Sequence, residues 1–440
     1  MKIIFLMLIS IIYILKTKFA LGLGVFLVYT LIFILALIKN NSFNSLIKIS
    51  EEYGKKSKIV IFVFIFVGAL TSSWLASGTI PGIIYYGIKF INPNFFILFS
   101  FLITSLVSFF LGSSFGTAST IGVALMGIAR SGGVNLNIVG ASIICGIYFG
   151  DRWSPLSSSA NLVASLTGVD IYSNLKNMVK SMIVPYLLTS IFYCVLSKNY
   201  ILNIGDNKIS NLILENYNLN IYLIFIPLIS IIIFSLLRIN VKISMGVSIT
   251  LASIIGVFVQ GEKFFKVLNY IIFGFYKFEG SYFGEIIKGG GIKSMLNATV
   301  LIFLSCSLVG LLEKIEVLNY IKNKISKIKT RGELFKNTVF ISLISGMIGA
   351  NQTITVIMTE QIMEDIYDEK KIERVEFAKD IENSAIILPS IIPWNIACYL
   401  PCAMLGIGNI RFIPYAIYIW IFPICMYIYY SFIKKEKELI

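Results

Sequence analysis

The sequence predicts an all-α, polytopic membrane protein, with roughly 10–12 transmembrane helices arranged as two inverted-topology repeats built of broken helices and hairpins. Three observations predict it: the apolar composition, apolar runs that recur from end to end, and a set of Gly, Pro, Ser and Asn interruptions that occurs twice. The 440 residues include 37 Lys+Arg, 23 Asp+Glu and no His, a net charge of +14. Hydrophobic residues make up 57 % and charged residues 14 %, against about 25 % charged in a soluble domain. That is too little charge to cover a water-facing surface. It excludes a soluble globular enzyme, a disordered chain and a nucleic-acid binder. The lack of His leaves proton chemistry to Asp, Glu, Lys or Tyr.

Apolar runs lie near 3–15, 19–38, 58–91, 95–111, 114–129, 137–150, 153–169, 181–197, 220–237, 243–260, 294–312, 337–363, 382–407 and 412–432. The first is read as a membrane helix rather than a signal peptide, because Lys16 and Lys18 stand where a small-residue cleavage site would be. Segments 39–57, 198–219, 261–293 and 313–336 are expected as loops or surface helices. Lysines 39, 48, 55, 56 and 58, the basic residues of 314–336, and the Lys434-Lys435-Glu436-Lys437 tail should be cytoplasmic, since basic loops stay inside.

The whole chain, 1–440, reads as one transmembrane domain, with a first repeat over 58–200 and a second over 292–432. At an offset of 234, Thr104 maps to Thr338, Ser108 to Ser342, Gly112 to Gly346, Pro155 to Pro389 and Asn161 to Asn395. The basic flank precedes the apolar run at 58–91 and follows the one near 292–325, so the second copy is expected to run through the bilayer in the opposite sense. Inverted repeats with interrupted helices place a transport site near the midplane.

The interruptions are Gly112-Ser-Ser-Phe-Gly-Thr-Ala-Ser-Thr120, Gly150-Asp-Arg-Trp-Ser-Pro-Leu-Ser-Ser-Ser-Ala-Asn161, Gly349-Ala-Asn-Gln-Thr353 and Glu382 through Asn395. A helix broken in lipid leaves backbone groups unpaired, so a break survives only inside protein or along a cavity. Carbonyl, hydroxyl and amide oxygens are hard ligands suited to an alkali cation, and half-helix N-termini suit an anion. The bland alternative is close helix packing through small residues. Charges in mid-bilayer cost about 2.5–3.5 kcal/mol each on insertion scales, so Asp151 and Glu382 stand out. Asp151 is a cation- or proton-binding carboxylate, or half of a neutral pair with Arg152. Glu382, with Asp380 nearby, lines the cavity or marks the cytoplasmic boundary. Glu360, Glu364 and Asp365 read as a solvated helix face. Trp74, Trp153, Trp394 and Trp420 are interface anchors or packing residues. The six cysteines all sit in apolar stretches and read as small buried hydrophobes.

Four stretches carry a family resemblance: 68–87, 116–127, Gly150-Asp-Arg-Trp-Ser-Pro-Leu-Ser157 with Asn161, and Ile391-Ile-Pro-Trp-Asn395. Over about 58 to 410 the chain resembles the NhaC-type Na+/H+ antiporters of the ion transporter superfamily. The resemblance implies a secondary transporter of the inner (cytoplasmic) membrane with an ion site at the two broken-helix regions. Family members often have Ser-Asp-Thr-Thr-Asn where this chain has Ser157-Ser158-Ser159-Ala160-Asn161, and Glu-Asp-Ser where it has Glu382-Asn383-Ser384. Both departures remove a carboxylate.

The expected function is exchange of Na+ (or Li+) for protons, with Asp151 and Glu382 coupling the proton. A Na+ site is expected at Asp151, Ser157 and Asn161, with Ser154, Thr117 and Ser119 nearby and Asn351, Thr353, Glu382 and Asn395 completing it from the other half. The alternative is cation-coupled carriage or exchange of a small carboxylate or amino acid. The partners expected are these ions or acids and the lipid bilayer, not nucleic acid; a homodimer is compatible with this reading. No cofactor is expected, and no enzymatic activity: neither a nucleophile–base pair nor a Walker-type phosphate loop is present.

Overall fold

The computed structural model describes residues 21–39, 41–56, 58–155, 157–203, 208–237, 239, 241–278, 284, 287–314 and 328–433. The expected first helix near 3–15 with Lys16 and Lys18, the basic residues between 315 and 327, and the tail from Lys434 lie outside them. Among the described residues the chain is helical, with one isolated bridge between Phe275 and Gly289 and no strand.

Helix α1 (Leu21–Ile38) is apolar along its length, and α2 (Phe43–Lys56) is amphipathic. In α2 Leu46 and Ser50 are buried while Glu51, Glu52 and Lys55 face outward, so the expected loop at 39–57 is a surface helix. The run at 58–91 is two helices, α3 (Lys58–Ala76) and α4 (Thr79–Phe90), parted at Gly78 with φ +79°. That conformation costs glycine nothing and other residues about 1 kcal/mol or more. The Gln260 side chain closes this break by donating to the Ser77 carbonyl at 3.0 Å.

A hairpin follows. Helix α5 (Phe96–Leu111) ends on left-handed Gly112, and Ser113 caps the short α6 (Ser114–Thr117). A π-helical turn, Ala118–Gly122, leads into α7 (Val123–Ser131). Helix α8 (Leu136–Trp153) packs on α5 through Gly146 and Gly150, one helical turn apart. A methyl group added at Gly150 would lie 2.5 Å from both the Phe109 nitrogen and the Ser105 oxygen. This contact holds the polar end of α8 inside the protein. Helices α9 (Ser158–Thr167) and α10 (Ile171–Asn199) complete the first half.

The middle of the chain holds α11 (Lys208–Asn216), α12 (Ile221–Ile224), α13 (Ile226–Leu236), α14 (Val241–Phe258) and α15 (Phe264–Phe273). The second half consists of α16 (Leu296–Lys314), α17 (Arg331–Gly349), α18 (Gln352–Glu369), α19 (Arg374–Glu382), an irregular stretch, α20 (Ile396–Leu405) and α21 (Ile417–Ile428).

Backbone landmarks in the two halves recur 238 residues apart. Helices α3 (58–76) and α16 (296–314) share their bounds. The caps Ser113, Asn135 and Ser157 answer to Asn351, Glu373 and Asn395. The positive-φ residues Gly112, Gly133 and Gly168 answer to Ala350, Lys371 and Gly406. Pro185 inside α10 answers to Pro423 inside α21. The 234 offset read from the sequence is therefore one helical turn short: it pairs Gly112 with Gly346, which lies inside α17.

The outer faces are apolar. Phe26, Leu27, Leu31 and Ile34 of α1, and Ile183, Val184, Leu187, Ile191 and Val195 of α10, are exposed, as lipid-facing helices require. Among the described residues, Pro93–Phe110 and Ser181–Asn199 are apolar stretches of full spanning length, and Ile417–Phe432 is a shorter apolar helix. Of the tryptophans, Trp74 is wholly buried with its ring nitrogen donating to Ser248, while Trp420 is exposed.

Candidate functional site

The last turn of α8 carries Asp151 and Arg152, and adjacent helical residues point about 100° apart. They do not pair with one another; they build two neighbouring clusters.

Asp151 faces the start of α9. The chain leaves α8 at Ser154, passes Pro155 and re-enters a helix at Ser157, whose hydroxyl caps α9 by accepting from the Ser159 and Ala160 nitrogens at 3.2 and 3.3 Å. The same hydroxyl donates to Asp151 Oδ1 at 2.9 Å, and the Ser159 hydroxyl donates to Asp151 Oδ2 at 3.2 Å. Asp151 is buried and lies against the positive end of α9. The result is a carboxylate and two hydroxyl oxygens gathered across a helix break.

Arg152 faces the second half of the chain. It is fully buried. Its Nη1 donates to Asn383 Oδ1 at 2.5 Å, and its guanidinium lies 4.1 Å over the Phe422 ring. Glu382, the last residue of α19, is fully buried as well, and Asn174 of α10 donates to its Oε1 at 3.4 Å. Both Asp151 and Arg152 are close enough to act electrostatically on Glu382. Five atoms here have no hydrogen-bond partner: Arg152 Nε and Nη2, Asn174 Oδ1, Glu382 Oε2 and Asn383 Nδ2. Buried polar groups are normally satisfied, and these five are not.

Asp380, two residues before Glu382, is the opposite case. Its carboxylate takes an ion pair from Arg331 at 2.6 Å and hydrogen bonds from the hydroxyls of Tyr367 at 2.7 Å and Tyr430 at 2.9 Å. Both oxygens are engaged, and the network ties α17, α18 and α19 to the turn that follows α21. Glu364 pairs with Arg374 at 2.8 Å on the surface, whereas Glu360 is buried rather than on a solvated face.

The remaining expected residues make mainly local and backbone hydrogen bonds. Thr117 donates to the Ser113 carbonyl at 2.9 Å and Ser119 to the Gly116 carbonyl at 3.0 Å, each within its own helix. Asn161 is exposed, and its amide closes the break by donating to the Pro155 and Ser157 carbonyls at 3.0 and 2.6 Å. Among the described residues no hydrogen bond joins it to Asp151, and its amide nitrogen is committed to the backbone. Asn351 caps α18 by accepting from the Thr353 nitrogen at 2.8 Å, and Thr353 is exposed. Asn395 caps α20 by accepting from Ala397 at 3.0 Å and donates to the Gly346 carbonyl at 2.8 Å. Ser154 is buried beside Asp151. Sequence reasoning missed Ser159, Asn174 and Asn383 as site residues and took Arg152 only as a partner for Asp151. The serine had a usable signal, since it lies eight residues after Asp151 across the break; Asn174 had none, being brought in by α10.

The sequence profile of the Na+/H+ antiporter family matches residues 146–435, which spans both clusters. The chain belongs to this family. It is thus a multi-pass membrane transporter rather than an enzyme. It is 30 % identical to a malate-2H+/Na+-lactate antiporter of Bacillus subtilis, over 81 % of this chain and 77 % of that one. It is 26 % identical to the Na+/H+ antiporter NhaC of Alkalihalophilus pseudofirmus, over 82 % and 79 %. With an arginine/ornithine antiporter of Halobacterium salinarum it shares 24 % identity, over 81 % and 75 %.

Proposed function

We propose that this antiporter family member exchanges Na+ (or Li+) for protons across the cytoplasmic membrane, with Asp151 as the group that binds the two in turn. One observation carries the reading: the buried Asp151 carboxylate shares a helix break with the hydroxyls of Ser157 and Ser159. Hard oxygens of this kind suit an alkali cation. A buried carboxylate without a counter-charge is strongly disfavoured, so Asp151 must hold either the cation or a proton, which is the alternation exchange requires. Charge supports this too. Asp151 and Glu382 together with Arg152 leave one net negative charge when both acids are ionised, and one Na+ or one proton cancels it.

The two halves, 58–200 and 292–432, are oppositely threaded in this reading, and their breaks meet near the midplane. The 238-residue recurrence of caps supports it. The test is dissipation of an imposed pH gradient in proteoliposomes. Added Na+ or Li+ should collapse the gradient with the wild-type chain, and Asp151→Asn should reduce this to the protein-free background. A wild-type protein that leaves the gradient intact under both cations rejects the reading.

A further inference from the structure

Helix α10 changes from polar to apolar at Ser181, where its stretch of full spanning length, Ser181–Asn199, begins. At this boundary Asn177 and Ser181, with Glu376 and Lys379 of α19, line a cavity of about 490 Å³. Within two helical turns along α10 the lining becomes apolar, at Val184 and Pro185, and it continues with Met426 and Ile428 of α21. Val184 and Ile428 are exposed, so the cavity opens onto the lipid-facing surface. Its polar end has spare hydrogen-bonding capacity. The Lys379 side chain is buried, and its ammonium donates to Glu376 Oε1 at 2.7 Å. An ammonium carries three N–H groups, and among the described residues no second acceptor is hydrogen-bonded to this one. Pro185 has no N–H to give to the Ser181 carbonyl one turn earlier, so that carbonyl lacks its usual helical partner. Lys379, Glu376, Arg331 and Asp380 form one linked set of ion pairs whose charges sum to zero.

We propose that this cavity binds one phospholipid of the surrounding bilayer, and that the headgroup it selects is phosphatidylethanolamine. Lys379 donates to the phosphodiester. The headgroup ammonium donates to the Ser181 carbonyl and balances its charge against Glu376. One acyl chain follows Val184, Pro185 and Met426 outward into the bilayer. The depth fits, since a helix turns from polar to apolar where headgroups give way to hydrocarbon. Charge selects among headgroups. The four linked side chains are already neutral, so a zwitterion enters without adding an uncompensated buried charge, whereas an anionic phospholipid would add one. The quaternary nitrogen of phosphatidylcholine has no N–H, so that lipid leaves the Ser181 carbonyl unpaired. Lys370, Lys371 and Arg374 lead into α19, which puts the site in the inner leaflet by the positive-inside rule. The site does not depend on which ions the chain exchanges.

The test is native mass spectrometry of the full chain, delipidated in detergent and then offered phosphatidylethanolamine, phosphatidylglycerol and phosphatidylcholine with identical chains in equal amounts. Phosphatidylethanolamine should be retained at least ~tenfold more than either of the others, the discrimination expected of one hydrogen bond to a charged group. Lys379→Gln removes the ammonium and should abolish the preference. Val184→Trp narrows the lipid side of the cavity without touching any of the charges, and should lower phosphatidylethanolamine retention to the phosphatidylcholine level. Melting of each variant in lipid-free detergent reports whether it folds. Equal retention of the three lipids is the mark of an unselective lipid belt and overturns the proposal, as does a preference for phosphatidylglycerol. A folded Val184→Trp variant that keeps the wild-type preference overturns it as well, because the selecting site then lies elsewhere.

Discussion

The break after α8 and the break after α19 occupy corresponding places in the two halves, yet they carry different chemistry. In the first, the chain crosses from Ser154 to Ser157 and re-enters a helix at once, with a carboxylate tied to two hydroxyls. In the second, α19 stops at Glu382 and irregular backbone runs to Asn395 before α20 begins. The counterpart of Asp151 at a spacing of 238 is Pro389, and Glu382 answers to Ile144. The lesson is that what recurs 238 residues apart is backbone, in caps and left-handed turns, while the titratable groups do not recur. A cap needs only a side-chain oxygen, so Ser and Asn interchange there; a charge in mid-bilayer is too costly to duplicate without use.

This asymmetry is open to attack. The largest effect on stability is expected at Asp380, whose counterpart in the first half is Ser142. Asp380→Asn should cost about 3 kcal/mol, because buried Arg331 then keeps only its looser 3.5 Å ion pair with Glu376. Ser142→Ala removes only a bond to the Val139 carbonyl and should cost roughly 1 kcal/mol. Thermal unfolding of the purified variants compares them, and equal costs would mean that the Arg331 network is not what anchors the second half. A smaller effect is expected at the α5–α8 contact, where Gly150→Ala should lose about 1–3 kcal/mol by overpacking and, by displacing Asp151, weaken the Na+ response of the gradient assay. Unchanged melting would show that the two helices can move apart. The smallest effect compares the left-handed residues that precede the two N-caps. Gly112→Ala should destabilise by about 1 kcal/mol, and Ala350→Gly, which relieves the strain of φ +47°, should be neutral or stabilising. The same sign for both would break the correspondence between the two hairpins.

Much of the scaffold was legible in residue order. The breaks at Gly112, Ser154–Ser157, Ala350 and Glu382–Asn395 announce themselves through small and polar residues inside apolar runs. The offset between halves was misread by one turn, because Ile-rich helices match themselves at any helical period and identities such as Gly112 with Gly346 are cheap. The break at Gly78 was passed over, since a single Gly in an apolar run looks like ordinary helix packing until its φ is known. Asp151 and Glu382 were legible as scarce charges. Asn161 was read as a ligand; that its amide nitrogen also closes the break, through the Pro155 and Ser157 carbonyls, depends on where one nitrogen points.

By itself the sequence determined that this chain is an all-helical membrane transporter with interrupted helices, and which two acids sit in apolar surroundings. Those follow from composition and local pattern, which act over a few residues. Only the tertiary structure decided which polar atoms are used up and which are left open. Asp380 and Glu382 are two residues apart, yet one has both oxygens engaged by Arg331, Tyr367 and Tyr430 while the other keeps an oxygen without a hydrogen-bond partner. Their partners come from helices up to 208 residues away in the chain, so hydrogen-bond satisfaction is a property of the packed bundle and not of the segment.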